Sequence, residues 1–141
     1  MEMGSCEDEG QDDGCGMVIG VGVDVVDVER FRAALARTPT MSQRVFTERE
    51  LDFVAPKVDP VPSLAARFAA REAVMKAMGL GLGAFGFHEV SVLVDDAGAP
   101  HLLVVGQAVQ LATERGIDSW HLSLSHDGGV ATAMVVAECR Q

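Results

Sequence analysis

The chain contains no tyrosine, a single tryptophan and six phenylalanines, so aromatic side chains make up only 5% of it. Basic residues are also few, with 11 Lys and Arg against 21 Asp and Glu. No basic cluster is interleaved with aromatic residues, which excludes duplex nucleic acid as the partner. Long apolar runs are missing too. None approaches the roughly 18 residues that a bilayer-spanning helix requires. The first fifteen residues lack the basic and apolar regions of a secretion signal, so no membrane partner is expected. Cysteine is limited to Cys6, Cys15 and Cys139, an odd number with no C-x-x-C pair. That pattern gives no disulfide framework and reads as a reduced, cytoplasmic protein.

What is present suits one globular domain. The 141 residues are 48% apolar and 23% charged, enough for a single modest core and outside the disordered range. The formal charge of −10 is unevenly spread. Residues 1–16 hold six acids and no base, and read as an acidic disordered extension ahead of a domain over 17–139. Residues 30–76 reverse the sign, with nine of the eleven bases and only five acids. A basic segment in an acidic protein points to a site for an anionic partner.

Periodicity predicts an α+β domain, mainly antiparallel, with a long central helix. Val18 to Val28 reads as a strand, with Ile19, Val21, Val23 and Val25 on one face and Gly20, Gly22, Asp24 and Val26 on the other. A helix from Glu29 to Arg37 follows, then a short one to Val54 opened by a Thr47–Glu50 capping box. Three prolines make Ala55 to Pro62 a loop, and an Ala-rich helix runs from Ser63 until Gly79 or Gly81. Strands at His88–Val94 and His101–Val105, a helix at Gln107–Arg115, and a hairpin of Ser119–Ser125 and Val130–Val136 complete the chain.

Two motifs fail on context. Gly81-Leu82-Gly83-Ala84-Phe85-Gly86 matches a dinucleotide fingerprint, but a helix precedes it and a strand follows, the reverse of what phosphate binding needs. Ser125-His126-Asp127 looks like a triad, yet neighbours on a strand point to opposite faces. His121 and His126 are likewise on opposite faces and cannot share a zinc ion. His121, on a strand with Ser123 and Ser125, could line a site, but a packed structural histidine is the preferred reading.

A third grouping survives. Asp24 is a carboxylate in an apolar strand, on the face cleared by Gly20 and Gly22, where a ligand could approach the backbone. Glu72 lies mid-helix on the stripe of Ala65, Phe68 and Met75, where burial requires a cation or donors. Lys76 is four residues on, so an i,i+4 ion pair on a solvated face explains Glu72 equally well. Arg67 and Arg71 add two more cations, and the four charges together could hold a metal and phosphates.

Gly20-Val-Gly22-Val-Asp24, then Arg67-Phe-Ala-Ala-Arg71-Glu72-Ala-Val-Met-Lys76-Ala77, then Trp120-His121-Leu-Ser123-Leu-Ser125-His126 resemble the three motifs of holo-acyl-carrier-protein synthases, the small trimeric type of 4′-phosphopantetheinyl transferase. The three stand in order across residues 17–138. The resemblance implies the 4′-phosphopantetheinyl transferase fold and a homotrimer with sites between subunits. It implies transfer of 4′-phosphopantetheine from coenzyme A to a serine of an acyl carrier protein, in support of fatty acid biosynthesis. It further implies that Asp24 and Glu72 bind Mg²⁺, that Lys76 contacts the coenzyme A phosphates, and that His126 and Arg67 meet its nucleotide end. Arg30, with Arg37 and Arg44 nearby, would face the acidic carrier protein. Arg71 departs from the family pattern, which has Lys there. The alternative kept open is a non-catalytic module that binds a nucleotide or coenzyme A.

The chemistry is consistent with these residues. Mg²⁺ favours one or two carboxylates together with phosphate oxygens and water. Glu72, directly or through a metal-bound water, is the first candidate for the base that takes the serine proton, and a bound water relayed to Asp24 the second.

Overall fold

The structure, a computed structural model, describes residues 16–140. The expected extension over residues 1–16 therefore lies, but for Gly16, outside the described residues. Strand β1 spans Met17–Asp27, followed by helices α1 (Val28–Arg37), α2 (Met41–Val45), α3 (Glu48–Val54) and α4 (Val61–Ala77). A 3₁₀ turn at Phe87–Glu89 leads into β2 (Val90–Val94) and β3 (Pro100–Val104). Helix α5 (Gly106–Glu114) and strands β4 (Ser119–Asp127) and β5 (Val130–Cys139) follow. The strands form an antiparallel sheet in the order β1-β5-β4 and an antiparallel hairpin of β2 and β3. This is the α+β architecture that the periodicity predicts.

Local chemistry sets the boundaries. Asp27 ends β1 and caps α1, its carboxylate accepting from the Arg30 N–H at 2.9 Å, so Val28 belongs to the helix rather than the strand. The Thr47–Glu50 capping box forms at the start of α3. Helix α4 starts at Val61, two residues before the expected Ser63, because Pro62 falls in its first turn, where a missing N–H costs nothing. The short α2 has no capping side chain and no sequence signal of its own. Between β4 and β5, Gly128 and Gly129 both take positive φ, 58° and 81°, which a tight two-residue hairpin turn requires.

Helix α4 lies across the sheet and is the centre of the core. Ala69, Ala70, Ala73 and Ala77 are buried against Ala133, Val135 and Ala137 of β5. A second cluster joins Val28 and Phe31 of α1 to Val45, Phe46, Val54 and Leu64. Gly20 and Gly22 have a different purpose from the one expected. A Cβ on Gly22 would lie 1.9 Å from the Ala73 carbonyl oxygen, and one on Gly20 1.9 Å from that of Ala77. The space they leave is filled by the backbone of α4, so the glycines seat the helix on β1 rather than admitting a ligand.

The opposite face of the sheet is uncovered. Val21, Val23 and Val25 of β1 and Met134 of β5 are each about half exposed there. His121 shares that face and is exposed, 3.5 Å from the Glu138 carboxylate, so it is not the packed histidine expected. Cys139 is buried and disulfide-bonded, contrary to the expectation of reduced thiols, and Cys6 and Cys15 lie outside the described residues.

Candidate active site

Because Gly20 and Gly22 draw α4 onto β1, the next residue on that strand face, Asp24, meets the outer side of the helix. The Lys76 ammonium reaches across and donates to Asp24 Oδ1 at 3.1 Å and to the Val23 carbonyl at 2.9 Å. Asp24 is mostly covered, with 17% of its side chain exposed, whereas Lys76 is about half exposed. Glu72, one turn before Lys76, completes the group. The i,i+4 ion pair that would account for Glu72 is not formed, since Lys76 turns to the strand instead.

Burial, reinforced by the negative charge of Asp24, pushes the Glu72 carboxyl above the ordinary glutamate range, and the charge of Lys76 only partly offsets this. A carboxylate whose proton affinity is raised by a second one beside it makes a site that gains from a cation. Among the described residues no group of three or more His, Cys, Asp or Glu is arranged to hold a metal. The described residues thus offer two hard oxygen donors at this contact, Asp24 and Glu72. That set fits Mg²⁺, which typically takes one or two carboxylates and completes its shell with water and substrate phosphates.

The other two cations of α4 are elsewhere. At about 100° per residue, Arg67 is about 180° from Lys76 around the helix axis, and Arg71 about 140°. Arg71 is fully buried. Its guanidinium donates to both carboxylate oxygens of Glu50, to the Phe87 carbonyl at 2.9 Å and to the Arg67 carbonyl at 3.2 Å. Glu50 also accepts from the N–H groups of Thr47 and Val92, each at 3.0 Å. Burial alone would raise the Glu50 carboxyl, but hydrogen bonds and charge from Arg71, with those two N–H groups, hold it below the usual range. The four charges of α4 therefore do not converge on one site. Arg71 joins α3, α4 and the 3₁₀ turn, and its planar fork serves three acceptors that a lysine could not reach together. The sequence showed Glu50 as a capping residue but held no sign of its pairing with Arg71.

Arg67 is buried, with its guanidinium 5.0 Å from the Phe53 ring centroid and one bond of 3.2 Å to the Ser63 carbonyl. Its Nε has no partner. Desolvation lowers its proton affinity, and the opposing charge of Glu50 does not restore it. His126 is at the end of β4, beside a groove of about 520 Å³ that Arg32, Asp59 and Pro62 also line. Register places Asp24 opposite Ala133 and Leu124, and His126 opposite Ala131 and Val26. His126 thus shares the helix-facing side of the sheet with Asp24, two strands and two residues away, about 12 Å by strand spacing. Within one chain, Asp24, Glu72 and Lys76 are together, and Arg67 and His126 are not with them.

Arg30, Arg37 and Arg44 are exposed, and their guanidinium groups have no ion pair or hydrogen bond among the described residues. Arg32, on the same helix, is bound in a fork to Asp59 at 3.0 and 2.7 Å. No described helix is long and apolar enough to cross a membrane.

Comparison with known proteins decides the lineage. The profile of the 4′-phosphopantetheinyl transferase superfamily matches residues 20–135. The chain belongs to that superfamily. Among its curated relatives, the holo-[acyl-carrier-protein] synthase of Streptomyces avermitilis is 51% identical over 121 residues, covering 86% of this chain and 98% of the relative. The crystal structure of holo-[acyl-carrier-protein] synthase from Neisseria meningitidis superposes with a TM-score of 0.78 at 32% identity, over 86% of this chain and 98% of that one. A holo-(acyl-carrier-protein) synthase from Bacillus anthracis, solved in complex with CoA (3′,5′-ADP), gives a TM-score of 0.73 at 31% identity, over 87% of this chain and 98% of the other. Such matches fix the fold as that of the 4′-phosphopantetheinyl transferases. They lend nothing to the alternative of a non-catalytic module.

Proposed function

We propose that this transferase moves 4′-phosphopantetheine from coenzyme A to a serine hydroxyl of an acyl carrier protein, releasing 3′,5′-ADP, with Mg²⁺ bound by Asp24 and Glu72. The observation that carries this reading is the gathering of two carboxylates, Asp24 and Glu72, beside Lys76 at the β1–α4 contact, in a chain half-identical to named synthases over nearly their whole length. Mg²⁺ bound there would neutralise charge on the pyrophosphate. Lys76, on a flexible stem and half exposed, reaches the same phosphates and stabilises charge developing on the leaving group. The serine oxygen forms a bond to the β-phosphorus as the bond to the bridging oxygen of 3′,5′-ADP breaks. Glu72 takes the serine proton.

The same reading makes the enzyme a homotrimer with shared sites. Two features support it. The uncovered Val21, Val23, Val25 and Met134 face is the kind of apolar patch that marks an interface. Arg67 and His126, the groups we assign to the nucleotide end of coenzyme A, are too far from Asp24 to act with it in one chain, so a neighbour supplies them. Arg30, Arg37 and Arg44 form the surface for the acidic carrier protein. Coenzyme A is a polyanion that cannot cross a bilayer unaided, so the enzyme works in the cytoplasm.

Mass spectrometry of an apo carrier protein incubated with the enzyme, coenzyme A and Mg²⁺ tests the function. A gain of one phosphopantetheine is expected, and an unmodified serine under these conditions would overturn the proposal. Asp24→Asn and Glu72→Gln should each lower kcat severely with little effect on the fold. Near-normal turnover by either at modest Mg²⁺ would disprove the metal assignment.

A further inference from the structure

Building on the metal site proposed above, we infer that Lys76 gates it: in the free enzyme its ammonium occupies the approach to Asp24, and coenzyme A phosphates draw it off, so that donor and cation bind with positive coupling. Of the two acids within reach, Lys76 has chosen the one on the strand. It holds Asp24 Oδ1 at 3.1 Å and the Val23 carbonyl at 2.9 Å, and leaves Glu72 without an ion pair although the helical spacing would allow one. With the ammonium in place only 17% of the Asp24 side chain stays exposed. A cation arriving at this pair must compete with Lys76 for one carboxylate oxygen and withstand its charge at close range.

The half-exposed stem of Lys76 gives the ammonium freedom to move. Pyrophosphate oxygens offer it charge-assisted bonds that replace those it leaves on β1. The released Asp24 oxygen, Glu72 and the phosphates then present one set of oxygen ligands. By linkage, the factor by which coenzyme A tightens the cation equals the factor by which the cation tightens coenzyme A. A lysine that served only to bind phosphate would lie extended toward solvent in the free enzyme and would leave the affinity for a lone cation largely untouched.

The test measures Mn²⁺ binding to the whole enzyme from the electron paramagnetic resonance signal of the free ion, first without and then with coenzyme A. Lys76→Gln and Lys76→Met remove the charge, Lys76→Arg keeps it, and Asp24→Asn removes the carboxylate. Without coenzyme A, both neutral variants should bind Mn²⁺ about tenfold more tightly than the wild type, the scale of one ammonium beside a divalent ion in a solvated site. They should also gain less from adding coenzyme A, while Lys76→Arg stays near the wild type. Thermal unfolding checks that each variant is folded, and Lys76→Met keeps the stem packing if Lys76→Gln does not fold. Neutral variants that bind Mn²⁺ no more tightly than the wild type would overturn the gate. Asp24→Asn binding Mn²⁺ as well as the wild type would instead overturn the metal site itself, which separates the two failures.

Discussion

Replacing Glu50 by Gln should be among the most destabilising single changes available in this chain. The substitution is nearly isosteric, so it opens no cavity, and the loss is electrostatic. Arg71 is fully buried and its guanidinium has Glu50 as its only ion-pair partner among the described residues. Neutralising that partner leaves a charge in the core, which costs about 3–5 kcal/mol where a buried pair is broken from one side. Some of the hydrogen bonds survive, since the Gln carbonyl still accepts, but its amide group faces donors. One of the N–H groups of Thr47 and Val92 then loses its acceptor. A domain of this size is stable by about 5–15 kcal/mol, so about a fifth or more of the total is at stake. Chemical denaturation at fixed protein concentration, at pH 7, should show the loss as a lower midpoint with an unchanged slope. The pH dependence adds a second check. The Glu50 carboxyl lies below its ordinary value in the folded state, so its stabilisation is complete above the unfolded pKa, about 4.3, and is lost as pH falls through the lower folded value. The gap between wild type and Glu50→Gln should therefore close in acid. A variant within about 1 kcal/mol of wild type at pH 7, with a gap that ignores pH, would refute the view that this pair is a buried and ionised one.

Three further changes test other parts of the structure. Gly22→Ala places a methyl group against the Ala73 carbonyl, so α4 must lift from β1; turnover should fall by more than the loss of stability accounts for, because Glu72 and Lys76 move with the helix, and retained kcat would disprove the seating role. Arg30→Glu should raise KM for the carrier protein about tenfold or more and leave KM for coenzyme A nearly unmoved, whereas equal changes for both would rule out α1 as the docking face. Val23→Asp, on the uncovered sheet face, should shift the sedimentation mass toward that of a single chain, and an unchanged assembly would show that this face is not the interface.

Much of this fold was legible because local rules and tertiary demands agree. The capping box of Thr47 and Glu50, the Gly128–Gly129 turn and the alternation of β1 from Gly20 to Val26 are statements about neighbours in sequence and form as read. Ile19, read on the open face, instead packs against the core beside a register shift at Val18–Gly20. Elements without a local signature were missed. Helix α2 has five residues, no capping side chain and one buried residue, Val45, so it exists only because the core around Phe46 holds it. The glycines of β1 were recognised as a cleared face, but whether a ligand or a helix fills such a space depends on packing that a lone strand does not reveal.

The site was half legible for the same reason. Asp24 is far in sequence from Glu72 and Lys76, and only the resemblance brought them together before the structure did. Treating all four charges of α4 as one cluster ignored their positions around the axis. Helical geometry, applied to residues 67, 71, 72 and 76, already divides them into two groups. The inner group is then required to find partners in the core, as Arg71 does in Glu50, because a buried charge without one is untenable. The outer group is under no such demand, which leaves Glu72 free to remain unpaired and Lys76 free to exchange partners. Arg67 belongs to the inner group by position yet has found only one carbonyl and an aromatic ring, with its Nε unsatisfied. A buried cation in that condition is costly to the isolated chain, and an anion delivered with a neighbouring subunit would remove the cost. The fold thus commits Arg71 to its own core on the inner side of α4, leaves the Nε of Arg67 still short of a partner there, and presents Glu72 and Lys76 for chemistry on the other side.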